Sequence, residues 1–260
     1  MSPLFDDLYA AARAQGLPVR TLMSEYAPGQ FEITLEHRAD ALRAVDEAVL
    51  FKRAIRGVAS RHGCIACFMA KPFEGMAGTG MHLHASLADA AGRNLFADEA
   101  PAGSPLLRHA IGGLRETMAD GMAVFAPHAN SYRRFRAMSY APVAANWGVN
   151  NRTVSLRVPA GPPPSRHVEH RVAGADANPY LVAAVVLAAM LRGLERSIDP
   201  GPPIEGNLLL DHLFGAEMRF VPAEDPMLAV GRDEEVVAVR ADRVEPQRAG
   251  EAVVDDPDVP

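Results

Sequence analysis

The sequence predicts an α+β fold in which helices pack against a largely antiparallel sheet. Three observations predict it. Of the 260 residues, 48% are hydrophobic, enough for one sizeable core. Two long segments, "DALRAVDEAVLFKRAIRGVASRHG" and "DANPYLVAAVVLAAMLRGLE", carry apolar residues at helical spacing behind a capping residue. Three others, "GMHLHASL", "TVSLRV" and "HVEHRV", alternate polar and apolar residues as half-buried strands do.

Taken in order, a first helix fits Pro3 to Gln15 and stops at Gly16-Leu17-Pro18. A strand, a turn and a second strand follow, with Pro28 and Gly29 at the centre of the turn. Pro sets φ and Gly accepts a positive φ, the chemistry of a type II turn. Asp40 then caps a helix whose Leu42, Val45, Val49, Ile55 and Val58 share a face, and Gly63 ends it. "CIACFMA" reads as a strand joined by the loop "KPFEGMAGT" to the strand "GMHLHASL". A helix is expected from about Pro105 to Val124, before the polar segment "PHANSYRRF". "TVSLRV" and "HVEHRV" are strands separated by the proline-rich loop "PAGPPPS". The last strong helix begins at Asn178-Pro179, a cap followed by a residue suited to the first turn.

Beyond "SIDPGPP" the pattern weakens. "AEMRF" and "EEVVAVRADRVE" are candidates for short strands, and "EAVVDDPDVP" is an acidic, frayed end. Residues 1–200 are therefore expected to form one domain, and residues 201–260 a divergent C-terminal extension.

Composition excludes several classes of function. The longest apolar run, Tyr180 to Leu191, is about a dozen residues, against roughly 20 needed to cross a bilayer. No basic segment precedes the first apolar positions, so a cytoplasmic protein without a membrane partner is expected. The net charge of -6 leaves no basic stripe for a nucleic acid. Cys64 and Cys67, the only cysteines, lie among apolar residues and are expected to be buried free thiols. Zinc would require two further soft ligands, and a redox pair favours a helix start. Neither a phosphate-binding GxxxxGK[ST] loop nor a GxGxxG after a strand is present, so any nucleotide must be held by arginines and metal.

The polar residues converge on one chemistry. Mirroring "SEYAPGQFEI" about its turn sets Tyr26 opposite Phe31 and Glu25 opposite Glu32, with Cβ atoms of cross-strand partners about 5 Å apart. Two carboxylates that close repel unless a proton or cation lies between them. From these residues alone, a metal site and a solvated hairpin face both remain open. His82, His84 and Ser86 share one strand face, His167, Glu169 and Arg171 another, and Arg157 joins Thr153 and Ser155. Carboxylates hold divalent ions and arginines neutralise a migrating phosphoryl group, which is what transfer from a magnesium nucleotide needs. A dinuclear metallohydrolase is the competing reading, and the density of arginines favours phosphoryl transfer.

"EYAPGQFEI", "AKPFEGMAGTGMHLHASL", "NSYRRF", "NRTVSLRVP" and "RHVEHRVAGADANPYL" occur in the order found in the glutamine synthetase superfamily, whose catalytic domain this chain resembles over roughly residues 5 to 200. The resemblance implies a curved, largely antiparallel sheet with packed helices. It also implies activation of glutamate by ATP as a γ-glutamyl phosphate, with more than one Mg2+ or Mn2+ ion in a complete site, before attack by ammonia or an organic amine. Glu25 and Glu32 would ligate one metal, and His82 and Glu169 its neighbour. His84, Ser86, Arg152, Arg157 and His167 would face the nucleotide. Gly78, His82, Arg134 and Arg171 would hold glutamate and the transferring phosphoryl group, with Arg134, Arg152, Arg171 and Tyr140 serving catalysis.

Departures from the pattern sharpen the expectation. The family's further pair of metal-binding glutamates, in an opening strand, has no counterpart before Glu25, and neither has the small β-grasp domain that completes a neighbouring subunit's site. The chain therefore resembles a catalytic domain truncated at both ends, working as a homo-oligomer, beside a full-length relative, or with impaired activity. Tyr140 stands where ammonia-using members carry a glutamate that takes a proton from ammonium, which is more similar to members that γ-glutamylate organic amines such as polyamines. Ala77 replaces a usual Asn, and His167 replaces a usual Arg, leaving a weaker, titratable cation.

Overall fold

The computed structural model describes residues 3–136 and 139–205, and the backbone of two short strands further on. The chain divides into two compact units, Met1–Asn207 and Leu208–Pro260.

In the first unit, α1 (Pro3–Ala14) leads into a hairpin of β1 (Val19–Ser24) and β2 (Phe31–Leu35). The hairpin lays Val19, Ile33 and Leu35 on a small core of Ala12, Leu17 and Phe51, the last from α2 (Ala41–Arg61). Asp40 caps α2 by accepting hydrogen bonds from the amides of Leu42 and Arg43. Gln30 N–H donates to the Ala27 carbonyl at 3.0 Å and Gly29 has φ +73°, so the turn is of the expected type. The register is not the mirror image. Ser24 pairs with Phe31 and Met23 with Glu32, while Glu25 N–H donates to the Gln30 carbonyl. A type II turn does not match the twist of two paired strands, so Tyr26 and Ala27 loop out instead of pairing. Glu25 still lies two residues along from Met23, on the face of Glu32, as its diagonal neighbour.

The main sheet contains β3 (Leu83–Ala85), β4 (Trp147–Val149), β5 (Leu156–Val158) and β6 (Val168–His170), in the order β3-β6-β5-β4. Its pairings are antiparallel except β4 with β5. Below it pack α3 (Pro105–Glu116), α4 (Met118–Phe125) and α6 (Pro179–Arg196), around a core that includes Ile111, Leu114, Trp147, Leu156, Val168, Val182 and Val186. The one helix expected between Pro105 and Val124 is two, broken at Thr117, whose hydroxyl donates back to the Gly113 carbonyl at 2.9 Å. Such back-bonding bends a helix. Asn178 caps α6 by accepting from Tyr180 and Leu181 amides. No helix among the described residues is long and apolar enough to cross a membrane.

"CIACFMA" is not a strand. A strand needs a partner ladder, and no described strand pairs with residues 64–69. Both cysteines are exposed rather than buried, and Ile65 is 95% exposed. A thiol reagent should accordingly titrate two groups per native chain without denaturant; protection of either until unfolding would contradict this exposure.

In the second unit, β7 (Met218–Phe220) and β8 (Val237–Val239) form an antiparallel pair within the two segments read as short strands. The acidic end lies outside the described residues.

Candidate active site

Alternation along β6 builds the centre of the site. Val168 and His170 turn into the core, His170 against Phe125 with ring centroids 4.5 Å apart, and Glu169 points to the opposite face. Glu169 is buried, and three basic groups hold it. Its Oε1 accepts from Arg171 Nη1 at 2.6 Å and lies 3.1 Å from His82 Nδ1, and its Oε2 accepts from Arg157 Nη1 at 2.9 Å. The sheet sets Arg157 on β5 directly opposite Glu169, and His82 lies two residues before the β3 partner of Glu169, His84, at the diagonal position. Burial would raise the Glu169 pKa, but the hydrogen bond with His82 and the charge of Arg171 outweigh it and hold the carboxyl well below the usual range. Burial lowers the pKa of His82, against the pull of Glu169.

Arg134 follows the short helix α5 (Ala129–Tyr132) and is buried. It donates to the carbonyls of Val172 at 2.8 Å and Arg171 at 3.0 Å. Burial, then the neighbouring charge of Arg171, pushes its pKa down to about 10. Arg171 also donates through Nη2 to the Arg152 carbonyl at 2.9 Å and, at 3.5 Å, to that of Tyr140. The Nε atoms of Arg157 and Arg171 are buried without a partner among the described residues, leaving donor capacity that suits an anion.

Glu32 lies close to this cluster. Partial burial raises its pKa first, then its contact with the Glu25 carboxyl and the like charges of Glu25 and Glu169, while Arg152 pulls it down. A pair of carboxylates under mutual repulsion fits a divalent cation. The fit is poorer at the second expected ligand pair, because both Glu169 oxygens are already engaged. Among the described residues no three acidic, histidine or cysteine groups stand close enough to ligate one ion.

The expected residues thus meet in one region, as pairs and a cluster. His82, Arg134, Arg157, Glu169 and Arg171 are joined directly or through one backbone group, and Glu25 joins Glu32. His84 and His167 meet at 2.9 Å, with His167 Nδ1 2.6 Å from the Ser165 carbonyl. Gly78 is pressed against Arg134. Arg152 is exposed, Tyr140 takes part through its carbonyl, and Ser86 lies exposed just past β3. Sequence reasoning missed two residues. Gln30 donates to the Gly78 carbonyl at 3.0 Å, tying the hairpin to the glycine loop. Asn150, at φ +49°, accepts from Arg157 Nη2 at 2.7 Å. The only available signal was an amide beside a turn, which is too common to single either out.

A mixed sheet thus carries buried arginines around a carboxylate, with a carboxylate hairpin beside them. The chain belongs to the family described as "Glutamine synthetase, catalytic domain", whose model matches residues 1–217. It is 45% identical over 204 residues to the gamma-glutamylputrescine synthetase PuuA of Escherichia coli (strain K12), covering 78% of this chain and 43% of that protein. It is 37% identical over 208 residues to the glutamate--isopropylamine ligase of a Pseudomonas species, covering 79% and 45%. Among solved structures, a GmaS/ADP complex superposes with a TM-score of 0.72 at 34% identity, over 81% of this chain and 50% of that one. The chain spans about half the length of the curated relatives it matches.

The carboxylate pair makes a test of metal fit that does not depend on turnover. Because folding raises the Glu32 pKa, ionised Glu32 costs stability at neutral pH, and the cost disappears as pH falls below the ordinary carboxylate value. Glu32→Gln should therefore stabilise the metal-free protein at pH 7 by about 0.2–1 kcal/mol, the scale of one cross-strand charge pair. The gain should vanish below about pH 4. Millimolar Mg2+ should raise the melting temperature of the wild type and leave the variant unchanged; equal responses would contradict metal binding at this pair.

Proposed function

We propose that this chain is the catalytic domain of an ATP-dependent carboxylate–amine ligase that activates glutamate as γ-glutamyl phosphate and passes the acyl group to an organic amine. The observation that carries the reading is the cluster in which Arg157, Arg171 and His82 surround Glu169 beside the Glu25/Glu32 pair. Buried guanidinium groups with unspent donors suit a phosphoryl group gaining charge. A divalent ion, Mg2+ or Mn2+, held at Glu25 and Glu32, with His82 and Glu169 nearest a second, would supply charge neutralisation at the phosphates.

The steps balance simply. A γ-carboxylate oxygen of glutamate attacks the γ-phosphorus of ATP, the bond to the β-phosphate oxygen breaks, and ADP leaves. The free amine then attacks the γ-carbonyl carbon, phosphate leaves with the former carboxylate oxygen, and the amine loses a proton. Arg171 and Arg134 orient the glutamate, Arg152 and Arg157 face the phosphates, and His84, Ser86 and His167 lie toward the nucleotide. The relatives named for putrescine and isopropylamine support an organic amine, and the ADP complex of the solved relative supports the nucleotide.

The test is ADP release by the folded chain with magnesium, ATP, glutamate and either isopropylamine or ammonium. Amine-dependent release above background is expected, with ammonium the poorer substrate. Tyr140→Glu should raise ammonium use relative to isopropylamine use by about tenfold, the worth of one well-placed charge of about 1.4 kcal/mol. An unchanged ratio would remove Tyr140 from amine selection. One observation favours a second reading, a domain that binds nucleotide but needs another chain, a copy of itself or a longer relative, to turn over: no three ligands converge on one ion among the described residues. It predicts nucleotide binding by calorimetry without ADP release.

A further inference from the structure

The carboxylate pair and the arginine cluster stand on separate supports. Among the described strands, β1 and β2 pair only with each other, while Arg157 and Glu169 belong to the four-stranded sheet. A two-stranded hairpin is marginal by itself in water, and the small apolar core beneath this one joins it to α1 and α2, not to the site. Among the described residues, the hydrogen bonds that cross from residues 19–35 to the glycine loop all come from one side chain, that of Gln30. Its Nε2 donates to the Gly78 carbonyl at 3.0 Å and lies 3.5 Å from Thr79 Oγ1, and its Oε1 accepts from the Ala27 amide at 3.2 Å. Gln30 also closes the turn between the two carboxylates, because its carbonyl accepts from Glu25 N–H at 2.9 Å. The far end of this bridge is fixed. The Thr79 amide donates to Ala70 at 2.8 Å, the Thr79 carbonyl accepts from the Ala175 amide at 3.0 Å, and the Met81 amide donates to Ala173 at 2.8 Å. A Cβ at Gly78 or Gly80 would overlap the Arg134 side chain, so the loop and that arginine hold each other in place.

We infer that Gln30 is a positioning residue that docks the carboxylate hairpin on the glycine loop, so that a divalent cation at Glu25 and Glu32 and a glutamate anion at Arg134 strengthen each other's binding. The inference rests on the ligase reading and adds to it the link between two of its ligands. Opposite charges attract across the gap only while the hairpin is docked. Each ligand therefore favours the docked arrangement, and the coupling is reciprocal. The charges of Glu169 and Arg152 already reach Glu32, which is what docking provides. Gln30 touches neither ligand; it acts through the backbone of Gly78 and the turn that carries the carboxylates.

The full chain is titrated with L-glutamate by calorimetry, without and with magnesium chloride. Magnesium should tighten glutamate binding to the wild type. Gln30→Met, of the same length but without the amide, should cut that gain by about three- to tenfold, the worth of one hydrogen bond. Glutamate affinity without magnesium should change little, whereas a general loosening would lower it with and without the cation alike. Gln30→Glu keeps the acceptor for Ala27 and loses the donor for Gly78, so it should lose the coupling as well and serves if Gln30→Met does not fold. A second readout needs no glutamate. Mn2+ at the carboxylate pair should broaden the amide NMR signals of residues 25–32 in every protein, and those of Gly78 and Gly80 more in the wild type than in either variant. Equal coupling in wild type and variants, zero included, or equal broadening at the two glycines, would overturn the inference; with glutamate bound, the ligase reading would stand. A wild type that binds no glutamate, yet broadens at the glycines only when Gln30 is present, would remove the ligase reading and keep the docking role.

Discussion

Glu169→Ala is expected to destabilise the protein by about 3–5 kcal/mol, the cost of leaving buried charges without their counter-ion. Arg171 is buried and Arg157 largely so, and both direct a nitrogen at this carboxylate, as does His82. Removing it leaves two guanidinium groups repelling each other beside Arg134. Glu169→Gln keeps the shape and one acceptor, so it should cost less than half as much while still disabling ligase turnover. Urea unfolding of the two variants checks this. A Glu169→Ala loss below about 1 kcal/mol, the scale of an exposed pair, would show that the cluster is not the buried, mutually compensating unit described here.

Gly78→Ala is expected to be a damaging single-methyl change in the site. A Cβ there would sit 2.7 Å from Arg134 Cγ and 2.8 Å from the Ala70 carbonyl oxygen. Neither is free to move, since Arg134 is tied to two carbonyls and Ala70 accepts the Thr79 amide at 2.8 Å. Overpacking of this kind costs about 1–3 kcal/mol. It should also push Arg134 off Arg171, so glutamate binding should fall at least tenfold even where the variant stays folded. Gly75→Ala, with open space around its Cβ position, is the control and should be silent. Equal melting temperatures and equal glutamate affinity for all three proteins would refute the close packing.

What could be read from the sequence was what is local. Asp40 and Asn178 act as caps because a side chain reaching its own helix amides needs no tertiary partner. The Pro28-Gly29 turn is legible for the same reason, and alternation correctly sets Glu169 opposite Val168. Pairing was less legible. The hairpin register slipped because a type II turn cannot hold a two-residue loop in twist, and "CIACFM" looked like a strand because its composition is strand-like, although a strand exists only beside a partner. Thr117 breaks its helix through one hydroxyl that the apolar pattern does not register. In the site, residue types and faces indicated carboxylates and arginines together. How fully Glu169 is engaged by three basic groups, and how Gln30 fastens the hairpin to Gly78, depend on distances that spacing alone does not fix.

The most direct test of the central claim follows one oxygen atom. Glutamate labelled with 18O in its γ-carboxylate is incubated with the folded chain, MgATP and isopropylamine, and the released phosphate is analysed by mass spectrometry. Activation through γ-glutamyl phosphate predicts one 18O atom in each phosphate formed. Phosphate released without label would mean that ATP is hydrolysed by water, and would contradict the ligase account.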